Sequence, residues 1–407
     1  TTRGSLLFRN HVPDHDAPAV SRLRTAGAVV VGKTTTSEFG WSATTASRLW
    51  PATRNPWAPS LTAGGSSGGA AAAVALGVGV AAIGTDGAGS VRIPAAFCGV
   101  VGLKPSFGRV PYVPVSPEQL SHLGPLTRTV DDAALLLEVM AGPDPRDPTS
   151  LDAPARLRDG RPDDASQPLR VAWVDSAGAP HPRPDVLATA RSAVTALAAE
   201  GHLVDEIDVP FDDPYRTLVT ILASFEAAGH AADLPAVRDL LDADRLQVVE
   251  RGRELTTVDL ALAQHDRDAL WQRIRAATSG YDVLAMPTVP IAPFDAALVQ
   301  PPEPVDKGEL GWLAWSPATY PFNLTGQPAV SVPAGFTDDG LPVGIQFVGG
   351  WHADATVLRA ARELERIRPW AATYTQLMPR PGAQTGKNTD VAAVPVGATA
   401  DDSRGAR

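Results

Sequence analysis

The sequence predicts an α/β protein in which helices cover a largely buried sheet. Short apolar, β-rich runs recur along the chain, and segments whose apolar residues follow a helical period lie between them. Apolar residues make up 44% of 407, enough for a large core.

In chain order, residues 28–31 read as a strand, preceded by a helix that Asp16 caps and that turns Val20 and Leu23 inward. Residues 100–103 form the next strand candidate. Thr129 followed by Asp132 is a capping pattern, opening an apolar helix that ends at Gly142. Residues 142–167 are rich in Pro, Asp and Arg and read as a surface connection. Strands are expected at 170–174 and 203–209, with a helix at 185–200 between them whose inward face carries Val186, Leu187, Ala190, Val194 and Leu197.

Residues 214–279 are almost purely helical and more charged, a helical layer (about 211–279) set between strands rather than a separate domain. Further strands fall at 283–286, 330–332 and 343–348, then a helix at 354–367 with Val357, Leu358, Ala361 and Leu364 inward. Residues 1–377 are therefore expected to form a single domain. Residues 378–407 hold few large apolar side chains; they cannot offset their ordering entropy, and a disordered tail is expected. No internal repeat is found.

The formal charge of −10 and pI of about 5.3 argue against nucleic acid or an anionic membrane as partner. No apolar run reaches the length that spans a bilayer. The one cysteine, Cys98, excludes an internal disulfide and a thiolate metal site, and fits a reducing, cytoplasmic setting. The sequence leaves oligomeric state open, a homo-oligomer included.

Two glycine-rich segments carry the chemistry. Ser66 lies in Gly64-Gly65-Ser66-Ser67-Gly68-Gly69, and Ser90 ends Gly84-Thr85-Asp86-Gly87-Ala88-Gly89-Ser90; small apolar residues (70–83) fill the space between them. Glycine–serine clusters are commonly flexible linkers. Here the first runs into Ala70 to Val74, a small-residue helix, and the second into Val91, Ile93, Pro94 and Phe97, so core-forming sequence brackets both. A Walker loop needs a Gly-Lys-Ser/Thr ending, and no lysine lies near Ser66. Gly77, Gly79 and Ala82 nominally fit a dinucleotide fingerprint but fall within the small-residue run, not between a strand and a helix. Gly64-x-Ser66-x-Gly68 and Gly65-x-Ser67-x-Gly69 also match a nucleophile elbow. That motif requires a buried strand before it, and residues 55–62 hold two prolines and few apolar residues. It also requires a downstream histidine, and His352 is expected in a surface turn.

The two segments together resemble those of the amidase signature family, hydrolases of carboxylic amides that work with two serines and a lysine. The likeness continues in Phe97-Cys98-Gly99-Val100-Val101-Gly102-Leu103-Lys104-Pro105-Ser106, Gly124-Pro125-Leu126-Thr127-Arg128 and Pro287-Thr288-Val289-Pro290. It extends to Phe322-Asn323-Leu324-Thr325-Gly326-Gln327-Pro328-Ala329 and Leu341-Pro342-Val343-Gly344-Ile345-Gln346, so it covers most of residues 1–370.

The resemblance implies a large mixed, mostly parallel sheet covered by helices on both faces, and no metal or cofactor. It implies that Ser90 is the nucleophile and that Ser66, held by a cis peptide bond, bridges it to a neutral lysine. Serine needs such a base at neutral pH, and lysine serves only when burial lowers its pKa. It further implies that the N–H groups of Gly87, Ala88, Gly89 and Ser90 converge on the developing oxyanion. Thr85 and Asp86 then brace that loop, with Arg92 as the ion-pair partner of Asp86.

The family's catalytic lysine lies further upstream of the first serine than the 65 residues available here. The four lysines present, Lys33, Lys104, Lys307 and Lys387, do not match it. The expectation is an amidase lacking its N-terminal part, inactive or impaired as given, that otherwise hydrolyses a small amide to acid plus ammonia or amine. Two alternatives stand beside it: the A subunit of a tRNA-dependent amidotransferase, and a non-catalytic remnant of the fold. Phe39, Trp41, Trp50 and residues 312–320 are candidates to line a substrate pocket and are equally explained as core.

Overall fold

The computed structural model describes residues 1–151, 167–178, 180–303 and 310–377. The tail expected at 378–407 lies outside the described residues, as do Lys307, Lys387 and most of the connection at 142–167. Among the described residues eight strands form one sheet: β1 (Ala81–Asp86), β2 (Val101–Lys104), β3 (His122–Thr127), β4 (Arg170–Trp173), β5 (Leu203–Glu206), β6 (Val283–Pro287), β7 (Ala329–Phe336) and β8 (Pro342–Gly349). They lie in the order β1-β3-β2-β7-β8-β6-β4-β5.

The sheet is mixed, as expected, but it is not mostly parallel. Only β6-β4-β5 run parallel; β1-β3, β3-β2, β2-β7, β7-β8 and β8-β6 are antiparallel. Connection length explains both. β4 and β5 are joined through the helix Pro184–Ala199, the crossover that parallel neighbours need. β7 and β8 are joined by a tight turn closed by Thr337 N–H on Leu341 O at 2.8 Å, which only antiparallel neighbours permit.

Helices cover both faces, and the strand alternation decides which side chains they meet. Val171 and Trp173 of β4 and Val283 and Ala285 of β6 join a core with the helices Pro184–Ala199 and Asp354–Ile367. Ala172, Leu284 and Met286 join the opposite core with the helices Tyr215–Gly229 and Thr257–Ala277. Burial on both faces is why these strands read as unbroken apolar runs. Thr129 does cap the helix Val130–Met140, accepting from Asp132 N–H. Among the described residues no helix is long and apolar enough to cross a membrane.

Two local expectations fail. Residues 28–31 form no strand: Val29, Val30 and Val31 are 85%, 58% and 77% exposed. β-branched residues favour a strand only when a neighbouring strand bonds their backbone, and no described strand lies beside them. Asp16 does not cap the helix Pro18–Thr25; its carboxylate accepts instead from Arg24 Nη1, and Pro18 opens the helix, where its missing N–H costs nothing.

The helices between β5 and β6 hold a strip of chain against the future site. Glu38 is buried and accepts from Ser5 Oγ at 2.6 Å and from Asp242 N–H at 2.7 Å. The Arg245 guanidinium lies 4.0 Å over the Phe39 ring, and Trp41 packs edge-on against Trp312. Burial, then the Glu38 charge, raise the Asp242 pKa from 3.8 to about 6. The folded state therefore binds the Asp242 proton more tightly than the unfolded chain, so this carboxyl lowers stability progressively as pH rises from about 4 to about 6. Asp242→Asn is expected to raise the melting temperature at pH 7.5 and to leave it nearly unchanged at pH 4. Thermal unfolding at the two pH values checks this; a gain that is equal at both would contradict it.

Candidate active site

Ser66 is buried, 1% exposed, and its peptide bond to Gly65 is cis. No strand precedes it: residues 55–62 make only isolated bridges, which removes the nucleophile-elbow reading. Thr45 ties the turn together, its hydroxyl donating to Gly64 O (2.8 Å) and Ser66 O (3.0 Å) and accepting from Gly68 N–H. Thr36 Oγ1 also donates to Ser66 O at 3.1 Å. Close packing dictates glycine here: a Cβ on Gly65 would sit 2.4 Å from the Thr44 carbonyl. The helix Gly68–Ala75 leaves directly from this turn, its small residues buried against the sheet. The strip held by Glu38 crosses above; a Cβ on Gly40 would lie 3.1 Å from Ser66 Oγ.

Ser90 stands in the loop between β1 and the helix Arg92–Cys98, and it is half-buried. The two segments meet where Ser67 N–H donates to Ser90 O at 3.1 Å and Ser67 Oγ donates to Thr85 O at 3.3 Å. The side chain of Thr85 makes no hydrogen bond among the described residues; its carbonyl does the bracing.

Asp86 organises the loop. Its carboxylate accepts from the N–H groups of Gly89 (2.7 Å), Val91 (3.2 Å) and Arg92 (3.4 Å), from Arg92 Nε and Nη2, and from Asn323 Nδ2. Arg92 uses all five of its donors: besides Asp86 they reach Thr319 O, Gln346 Oε1 and Asn323 Oδ1. Both members of the pair are fully buried. Burial pushes the Asp86 pKa up, but the Arg92 charge and bonds, with Lys104 and Asn323, outweigh it and hold the carboxyl well below the usual carboxylate range.

One of the amides expected to face an oxyanion is engaged elsewhere. Gly89 N–H donates to the buried carboxylate of Asp86 at the end of β1. The N–H groups of Gly87, Ala88 and Ser90 have no hydrogen-bond partner among the described residues. Ala88 O is held by Thr319 Oγ1 at 2.7 Å.

Of the described lysines, Lys33 is exposed. Lys104 is fully buried, donating to Pro105 O and Gln327 O and facing His122 Nε2 at 3.3 Å. Burial, then Arg92, push its pKa well below the usual lysine value. Neither lysine bonds to a serine of the two segments. Sequence reasoning names Thr319 only within residues 312–320, as a candidate pocket lining, and assigns no role to Thr45, Asn323 or Gln346. The last two lie in segments that carry the family likeness, and that was the signal available for them.

Comparison with known proteins shows the family. The model of the amidase family matches residues 1–358, and the chain belongs to that family. It is similar to an acylamidase of Rhodococcus erythropolis, 39% identical over 91% of this chain and 79% of the relative. It is also similar to the A subunit of the glutamyl-tRNA(Gln) amidotransferase of Natronomonas pharaonis, 38% identical over 89% of this chain and 91% of the relative. Among solved structures, a 6-aminohexanoate cyclic dimer hydrolase superposes with a TM-score of 0.84 at 33% identity, over 93% of this chain and 83% of that one. The family is one of hydrolases acting on amide bonds.

The packing around the loop separates its two glycines. A Cβ on Gly89, where φ is +128°, would meet Thr319 Oγ1 at 2.5 Å, whereas one on Gly87 would meet nothing nearer than Ser121 Oγ at 3.6 Å. Gly89→Ala is expected to cost about 1–3 kcal/mol of stability, and Gly87→Ala less than about 0.5 kcal/mol. Urea unfolding of the two variants measures the difference; equal losses would contradict the placement.

Proposed function

We propose that the site hydrolyses a small carboxylic amide through an acyl-enzyme, with Ser90 as nucleophile and Ser66 as the hydroxyl that relays its proton. The observation that carries this reading is the joining of the two serine segments beside three main-chain N–H groups with no partner among the described residues. Attack by Ser90 Oγ on the amide carbon places negative charge on the carbonyl oxygen. Donors already aimed at that charge need no reorganisation, and each is typically worth about 3 kcal/mol. Gly87, Ala88 and Ser90 are the proposed donors. Gly89 instead shapes the loop from beneath. Collapse of the tetrahedral intermediate expels ammonia or amine, and water then releases the acid.

The proton from Ser90 must end on a base beyond Ser66. Lys104 is engaged with two carbonyls and a histidine, and Lys33 is exposed, so neither fills that role. With neither described lysine placed to take that proton, turnover of an unactivated amide is expected to be slow, while the nucleophile and oxyanion donors still react with activated reagents.

The reading is tested with a fluorophosphonate and intact-mass detection. One adduct is expected, mapping to Ser90. Ser90→Ala should abolish it. An adduct that survives Ser90→Ala would overturn the assignment. A second reading is favoured by the likeness to an amidotransferase component over nearly the whole of that relative. On it the amide is glutamine and the released ammonia passes to a partner. Glutamine hydrolysis that depends on added partner subunits would distinguish it from hydrolysis of simple aryl amides.

A further inference from the structure

Two buried titratable side chains lie beneath the loop without entering the reaction. β1, β3 and β2 are neighbours in the sheet, and at one end of each stands a residue of a continuous polar row: Asp86, His122 and Lys104. Asp86 and His122 are cross-strand partners. His122 Nδ1 faces two carbonyls, Leu120 O at 2.7 Å and Asp86 O at 3.3 Å, so this nitrogen must carry a hydrogen. Its Nε2 faces Lys104 Nζ, whose other two neighbours, Pro105 O and Gln327 O, can only accept. Three acceptors around one amine match the three hydrogens of an ammonium. A neutral amine would leave one acceptor unmet and turn its lone pair on another, a cost that full burial makes severe.

We propose that Lys104 and His122 are positioning residues that hold one proton between them, as a Lys104 ammonium on a neutral His122 imidazole. This charged row fixes the end of β1 from which residues 87–90 depart. The claim that the row matters for catalysis rests on the reading of those residues as the oxyanion loop. The charged groups facing the pair are Asp86, itself paired with Arg92, and Asp354, which is paired with Arg109 and accepts from Ser106. Burial and the adjacent lysine push the His122 pKa well below its usual value, in keeping with a neutral ring. Burial and Arg92 push the Lys104 pKa down as well; the Asp86 and Asp354 charges and the three acceptors around the amine are what hold its third hydrogen. The Phe107 ring closes the histidine off edge-on at 5.5 Å.

The test is ¹⁵N-histidine NMR on the full chain, with amide hydrogen exchange of the variants. His122 should show hydrogen on Nδ1 and none on Nε2, and should not titrate between about pH 5.5 and 8.5, a range that spans the ordinary histidine value. In Lys104→Met, exchange of the amides of residues 86–91 should rise about tenfold relative to those of β7 and β8. His122→Gln, whose amide can donate toward Asp86 O and accept from Lys104, should restore exchange to within about twofold, and His122→Leu should not. An Nε2–H tautomer, a His122 that titrates with the exposed histidines, or equal exchange in His122→Gln and His122→Leu would overturn the proposal. If Lys104→Met does not fold, the wild-type spectrum and the two His122 variants decide the matter. None of these measurements needs turnover, so failure of Ser90 labelling and failure of this proposal are separate outcomes.

Discussion

The site depends on one buried carboxylate. Asp86 ends β1 with no exposure to water, and an ionised carboxylate there is tolerable only because six donors converge on it. Three of those donors are backbone amides of the loop and helix that follow, so meeting the charge and shaping the loop are one event. Arg92 carries the constraint outward, to Thr319 and Asn323 on the segment before β7 and to Gln346 on β8. Pieces of chain more than 200 residues apart in sequence are thereby tied to the position of Ser90.

Around this centre the packing is set by small residues. Gly65 admits the Thr44 backbone, Gly89 admits Thr319, and Gly124 of β3 runs so close to Leu103 of β2 that a Cβ would lie 1.8 Å from its carbonyl oxygen. The helical layer closes the other side by holding Glu38 and Phe39 over the Ser66 turn. The Lys104–His122 pair supports the loop from below. On the proposed reading, a substrate carbonyl would meet donors that are already fixed, the condition under which hydrogen bonds stabilise a developing charge most.

Much of this was legible in the sequence, for physical reasons. β2, β4, β6 and β8 are buried on both faces and announce themselves as apolar runs. β1 and β3 do not, because Gly84, Thr85 and Asp86, and His122, Gly124 and Pro125, were chosen by the site and by close strand approach, not by β-propensity. Residues 28–31 show the reverse: strong propensity with no neighbouring strand to pair with. The serine–glycine segments and the Asp86–Arg92 pair stood out because they are local. Asn323 could not be read this way, since its partner Asp86 lies 237 positions away, and the inward turn of the Gly89 amide appears only once the loop is folded.

The central claim, that Asp86 and Arg92 act as a unit on which the loop depends, is tested most directly by a double-mutant cycle. Asp86→Asn and Arg92→Met, alone and together, are compared by urea unfolding. Each single change should cost about 3–5 kcal/mol, since it strands a buried charge, and the pair should be coupled by about 2–3 kcal/mol. Losses that add to within about 0.5 kcal/mol would contradict the account.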